Sequence, residues 1–173
     1  MSNPFVFNVA ALLRGSGMPE QRTQTGEATE RIGVQMIAIE PGTPVTVEAT
    51  LTPLGEGIMV DALIKTQLKG QCSRTLVELN PDYEISVNEV FAATDTFIQG
   101  DEADEDDEIP MVVGDNIDLT QTVIDAVGLD LPFNPTCEYF GLEAPDVDVP
   151  APDGVSGEED RPDPRWAGLE KFK

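Results

Sequence analysis

PVTVEATLTPLGEGIMVDALIKTQ, residues 44–67, reads as two strands and the turn between them. Val45, Val47, Ala49 and Leu51 alternate with Thr46, Glu48, Thr50 and Thr52, the period of a strand with one buried face. The run from Pro53 to Gly57 has turn chemistry. Ile58, Val60, Ala62 and Ile64, with Leu68 beyond, share an apolar face opposite Asp61, Lys65, Gln67 and Lys69. After a bend at GQCSR, residues 76–79 are expected to continue the sheet. Asn80, Pro81 and Asp82 then turn the chain into a segment where Tyr83, Ile85, Val87 and Phe91 alternate with Glu84, Ser86 and Asn88. Connections this short join antiparallel neighbours, because a parallel pair needs a crossover of about a dozen residues or more. The expected fold class is therefore α+β: an antiparallel β-meander or partly closed barrel, with a few short helices and acidic flexible segments.

The flanks are less periodic. Phe5, Phe7 and Val9 predict one more strand, followed by a short helix over residues 10–13, whereas residues 15–31 have loop composition. Asp118 is placed to cap a helix with Gln121 at its third position, Leu119, Val123 and Val127 on one face, and Gly128 at its end. Asp163 and Pro164 predict a second helix start, with Trp166, Leu169 and Phe172 as an apolar stripe that docks on the sheet. GDEADEDDE, residues 100–108, is a self-repelling solvated loop that lacks the ligand alternation and central glycine of an EF-hand. The organisation expected is one α+β domain over residues 1–142 that includes this loop, a flexible acidic Pro-rich linker over 143–162, and a C-terminal docking helix over 163–173.

Charge and missing residue types narrow the chemistry. The 173 residues carry 33 acids against 10 bases, a formal net charge of −23, and no cation lies between Arg74 and Arg161. Affinity for nucleic acid comes largely from Lys and Arg displacing condensed counterions, so little direct binding to RNA is expected and a basic protein is the natural complement. With no histidine in the chain, a Ser-His-Asp triad, a Cys-His pair and a histidine-ligated zinc are all excluded. No apolar run approaches the ~20 residues of a membrane span, and the first residues lack a basic stretch ahead of their apolar one. The expectation is a soluble, cytoplasmic protein with no membrane association.

Two cysteines remain: Cys72 in LKGQCSRTLVEL and Cys137 in LPFNPTCEYFGLEAP. Two thiolates cannot complete a four-ligand zinc site unless carboxylates or a second chain contribute. A cytosolic location disfavours a permanent disulfide, and Arg74 is a single neighbouring cation with which to activate a nucleophile. On the residues alone, both are structural or vestigial.

KGQCSRTLVELNPDYEISVNEVF (69–91), GDNIDLTQTVIDAVGLDLPFNPTC (114–137) and DPRWAGLEKF (163–172), with LLRGSGM and PGTPVTVEATL before them, resemble in order the landmarks of the bacterial YceD family, the large ribosomal RNA subunit accumulation proteins. In that family the first motif usually reads Cys-x-Arg-Cys-Leu, and a further cysteine cluster follows the Leu-Pro-x-x-Pro-x-Cys element, an arrangement that implies zinc. Here Thr75 stands at the second cysteine position, and no cysteine follows Cys137. The resemblance thus implies a degenerate metal motif with no retained metal or other cofactor, in which Cys72 is a remnant close to Cys137 in space.

The resemblance also implies a non-enzymatic ribosome biogenesis factor that supports synthesis, processing or stability of large-subunit (23S) rRNA, and a basic large-subunit ribosomal protein as its partner. Candidate partner-binding positions are Asp101, Glu105 and Asp107 in the acidic loop, together with the motif positions Arg74, Arg165 and Trp166. No catalytic residue is expected. Two readings from other classes are an acidic interaction module unrelated to ribosomes and a metal-dependent RNA-processing enzyme, which would need several carboxylates converging on a metal pair.

Overall fold

The computed structural model describes residues 3–15, 17–94 and 109–145. In chain order the elements are β1 (Val6–Asn8), α1 (Ala10–Arg14), β2 (Glu20–Glu27), β3 (Ile32–Gly33), β4 (Ile37–Ile39), β5 (Pro44–Pro53), β6 (Gly57–Gln67), β7 (Lys69–Gln71), β8 (Glu78–Leu79), β9 (Asp82–Ala92), β10 (Asn116–Asp118) and α2 (Thr120–Asp130). They build a four-stranded sheet in the order β2-β5-β6-β9, a second in the order β3-β4-β7-β8, and a two-stranded β1-β10 ribbon, with every named strand pair antiparallel. The architecture is an α+β meander. Among the described residues no sheet closes into a barrel.

The large sheet follows the alternation of its sequence. Val45, Val47 and Leu51 from β5 and Ile58, Val60 and Ile64 from β6 are fully buried on one face, while Glu48 and Asp61 are exposed on the other. The β5–β6 turn closes with the Leu54 amide donating to the Gly57 carbonyl at 2.8 Å. The register that results, Val47 opposite Ile64 and Ile64 opposite Ile85, stacks apolar side chains across strands. Phe5, Phe7, Ile37, Ile39, Ile117, Val123 and Val127 belong to the same core, so the three sheets and α2 share one apolar interior. Gly70 lets β7 reach β4: a Cβ there would stand 2.4 Å from the Met36 carbonyl oxygen and 2.7 Å from the Ile37 Cβ.

Several expectations are corrected. Residues 20–27 form an edge strand, not a loop, pairing with β5 from Glu20↔Leu51 to Glu27↔Pro44. Its residues are polar on both faces because an edge strand half-covers the core with side-chain stems, so the alternation carries no hydrophobic signal. Residues 76–79 contribute only the two residues of β8, and these join the small sheet through β7. In α2 the cap position is Leu119 with no side-chain bond; Asp118 lies one residue earlier and accepts the Thr120 amide at 2.9 Å. The helix runs through Gly128 to Asp130, since Gly128 faces open space and Val127 on the buried side anchors the last turn. The acidic loop 100–108, the linker from residue 146 onward and the C-terminal helix 163–173 lie outside the described residues. No described helix is long and apolar enough to cross a membrane.

Candidate functional site

Cys72 leaves β7 into a tight loop. Its own amide donates to the Val77 carbonyl and its carbonyl accepts from the Leu76 amide, both at 2.8 Å, which closes the loop on itself. Closure places Leu76 in the left-handed region at φ 59°, unusual for a side chain with a γ-branch. A second loop follows α2, where the Cys137 carbonyl accepts from the amides of Phe140 and Leu142 and the Thr136 hydroxyl accepts from Tyr139. The Ser73 amide donates to the Pro135 carbonyl at 2.7 Å and ties the two loops together.

Both thiols are buried between these loops, at 1% and 2% exposure, beside a pocket of about 150 Å³ that Arg74, Thr75 and Glu138 also line. The Thr75 oxygen lies 3.9 Å from the Cys137 sulfur and is also hydrogen-bonded to Cys72. Burial by itself pushes the Cys72 pKa up. The Thr75 hydroxyl and the backbone N–H groups of Thr75, Arg74 and Cys137 outweigh it and bring Cys72 down to about 6. The Thr75 hydroxyl and these backbone dipoles together form a cradle for a sulfur anion.

The donor set does not fit a structural zinc ion. Such a site takes four sulfur, nitrogen or carboxylate ligands. Here Thr75 offers a hydroxyl already bound to sulfur, Glu138 is 87% exposed and turned toward Arg74 at 3.9 Å, and no three Cys, Asp or Glu residues converge among the described ones. Cys72 and Cys137 line one pocket together with Thr75, and both cysteines are free thiols. Arg74 is drawn into an exposed ion pair, which contributes little. Asp101, Glu105, Asp107, Arg165 and Trp166 lie outside the described residues.

A second surface was not singled out from the sequence. Among the described residues nothing covers the outer face of the four-stranded sheet, and its cross-strand rows read Thr23, Glu48, Leu63, Ser86 and Gln21, Thr50, Asp61, Asn88. A shallow trough of about 520 Å³ crosses these rows. Its polar residues are the very positions that alternate with the core, so the signal was present but indistinguishable from an ordinary solvated face.

A sequence model of the family described as large ribosomal RNA subunit accumulation protein YceD matches residues 60–173. An uncharacterized protein of Mycobacterium tuberculosis is 33% identical over 171 residues, spanning 98% of this chain and 81% of the relative. An uncharacterized protein of Mycobacterium leprae is 29% identical over 171 residues, spanning 96% of this chain and 76% of the relative. The Bacillus subtilis protein YlbN is 30% identical over 160 residues, 90% of each chain. No solved structure matches.

Proposed function

The chain belongs to the YceD family of large ribosomal RNA subunit accumulation proteins, and on that premise we propose that it supports the production of the large ribosomal subunit as a non-enzymatic factor. The family match over residues 60–173, which includes both cysteine loops, carries this reading. The partner clause rests on charge. A chain with 33 acids and 10 bases repels a phosphate backbone and attracts a basic polypeptide, so the factor holds a basic large-subunit ribosomal protein, and its effect on ribosomal RNA is exerted through that protein. The cysteine loops serve as a packing junction that fixes residues 71–79 against residues 131–145.

The test is affinity purification of the tagged full chain from its own cells, with and without ribonuclease, at low and high salt, followed by mass spectrometry. A small basic large-subunit protein that stays bound after ribonuclease and is released by salt is the expected result. Recovery of unrelated partners, or unchanged large-subunit RNA levels in cells depleted of the protein, would overturn the reading.

A further inference from the structure

We propose that the outer face of the β2-β5-β6-β9 sheet is the docking surface for an extended, lysine- or arginine-rich segment of a partner protein. This inference rests on the partner reading above and gives it a location.

The first observation is that no element among the described residues covers this face. The other face of the same sheet is buried by the shared core, whereas Glu48, Asp61, Glu84, Ser86 and Asn88 are all exposed. The second is its extent: the trough of about 520 Å³ crosses all four strands, against about 150 Å³ for the cysteine pocket, which suits an extended segment better than a compact ligand. Half-buried Leu63 lies at its floor, opposite Glu48 on one side and Ser86 on the other, which gives an apolar seat for alkyl stems between polar banks.

The third observation is the balance of charge. Glu27, Glu48, Asp61, Asp82 and Glu84 share the outward register of the four strands, where Lys65 is the one cation among the described residues; Arg22, which also lines the trough, is paired with Glu20 at 2.8 Å. Lys65 is already engaged, 2.9 Å from Glu48 and directly across from Glu84. Asp61 accepts only a neutral amide, from Asn88. Glu48, Asp61 and Glu84 stand on three adjacent strands in three different cross-strand rows, so negative charge is spread across the face that a basic segment would cover. A polyanion such as RNA has no complement here.

The experiment measures binding of a fluorescent synthetic peptide alternating lysine with alanine to the full-length protein at low salt. One variant combines Glu48→Gln, Asp61→Asn and Glu84→Gln. The other combines Glu30→Gln, Glu78→Gln and Glu138→Gln and removes the same charge from exposed sites elsewhere. Loss of about tenfold or more in affinity for the sheet variant, with the control within about twofold of the wild type, is expected. Equal losses in both variants would mean that the peptide answers to overall charge, which overturns the docking face and leaves the partner reading standing. A wild-type chain that fails to hold the peptide overturns both. Backbone amide spectra of full-length Arg165→Gln/Lys171→Gln provide the remaining check. Shifts at Asp61, Leu63 and Asn88 without peptide would assign the face to the chain's own C-terminal segment and sink the partner proposal.

Discussion

The β5–β6–β9 core and the paired cysteine loops hold their shapes by different means. In the sheet, each buried position is one of a long register of equivalent contacts: Val47, Ile64 and Ile85 lie in one row and Leu51 and Val60 in another. In the loops, shape depends on a few individual bonds, Cys72 to Val77, Leu76 to Cys72 and Ser73 to Pro135, around two small sulfur-bearing side chains. The sheet is stabilised by apolar area, which any side chain of similar volume supplies, whereas the loops need particular donors at particular places. The loops can therefore change their chemistry while their backbone path survives, as long as the N–H groups still converge.

The comparison can be broken most severely from the sheet side. Ile64→Ala removes a fully buried side chain from the central strand and is expected to cost about 2–5 kcal/mol, read as a fall in the denaturant midpoint at unchanged slope. Gly70→Ala, at the approach of β7 to β4, forces a Cβ into the Met36 carbonyl and should cost about 1–3 kcal/mol by the same measurement. A loss below about 0.5 kcal/mol there would mean that the small sheet yields easily. Leu76→Gly sharpens the contrast with the opposite sign. It relieves a left-handed backbone at a side chain that is 64% exposed, for a gain of about 1 kcal/mol, reduced by the greater freedom of glycine in the unfolded chain.

The smallest effect on stability tests the sulfur cradle itself. In a Cys137→Ala background, thiolate absorbance near 240 nm should titrate around pH 6, and adding Thr75→Val should move that midpoint upward while costing no more than about 1 kcal/mol. Because the folded pKa of Cys72 lies below the unfolded value of about 8.5, its contribution is fully present above that value and is lost as pH falls through about 6. Wild type should therefore lose stability relative to Cys72→Ala between about pH 8.5 and 6. A midpoint near 8.5 in the folded protein would refute the cradle.

How much of this was legible depends on whether a residue's neighbours are set by period or by topology. Strands β5, β6 and β9 announce themselves, because burial alternates with the side-chain direction from Val45 onward. Strand β2 does not: Glu20 to Glu27 lies at a sheet margin and contains no large apolar residue. The small sheet hides for another reason, since strands of two or three residues are defined by who lies beside them, and only the folded chain brings Gly70 to Ile37. At the helix, the shift from Asp118 to Leu119 as cap is a one-residue matter that local chemistry leaves open. For the site, the resemblance to a cysteine-bearing family anticipated that Cys72 and Cys137 meet. The convergence of N–H groups on Cys72 involves backbone, which no side-chain pattern encodes.

The β1–β10 ribbon sets an order of events during synthesis. Phe7 pairs with Ile117, so β1 has no partner until β10, the last described strand, has been made. At ~5–20 residues per second that interval is on the order of ten seconds, far longer than a hairpin such as β5–β6 needs to form. Throughout it, Phe5, Phe7 and Val9, all fully buried in the finished molecule, are without their final cover. The large sheet can assemble while translation continues, but the N-terminal ribbon is sealed only when β10 arrives. A nascent chain stalled before residue 117 would be a folded sheet trailing an apolar, aggregation-prone end.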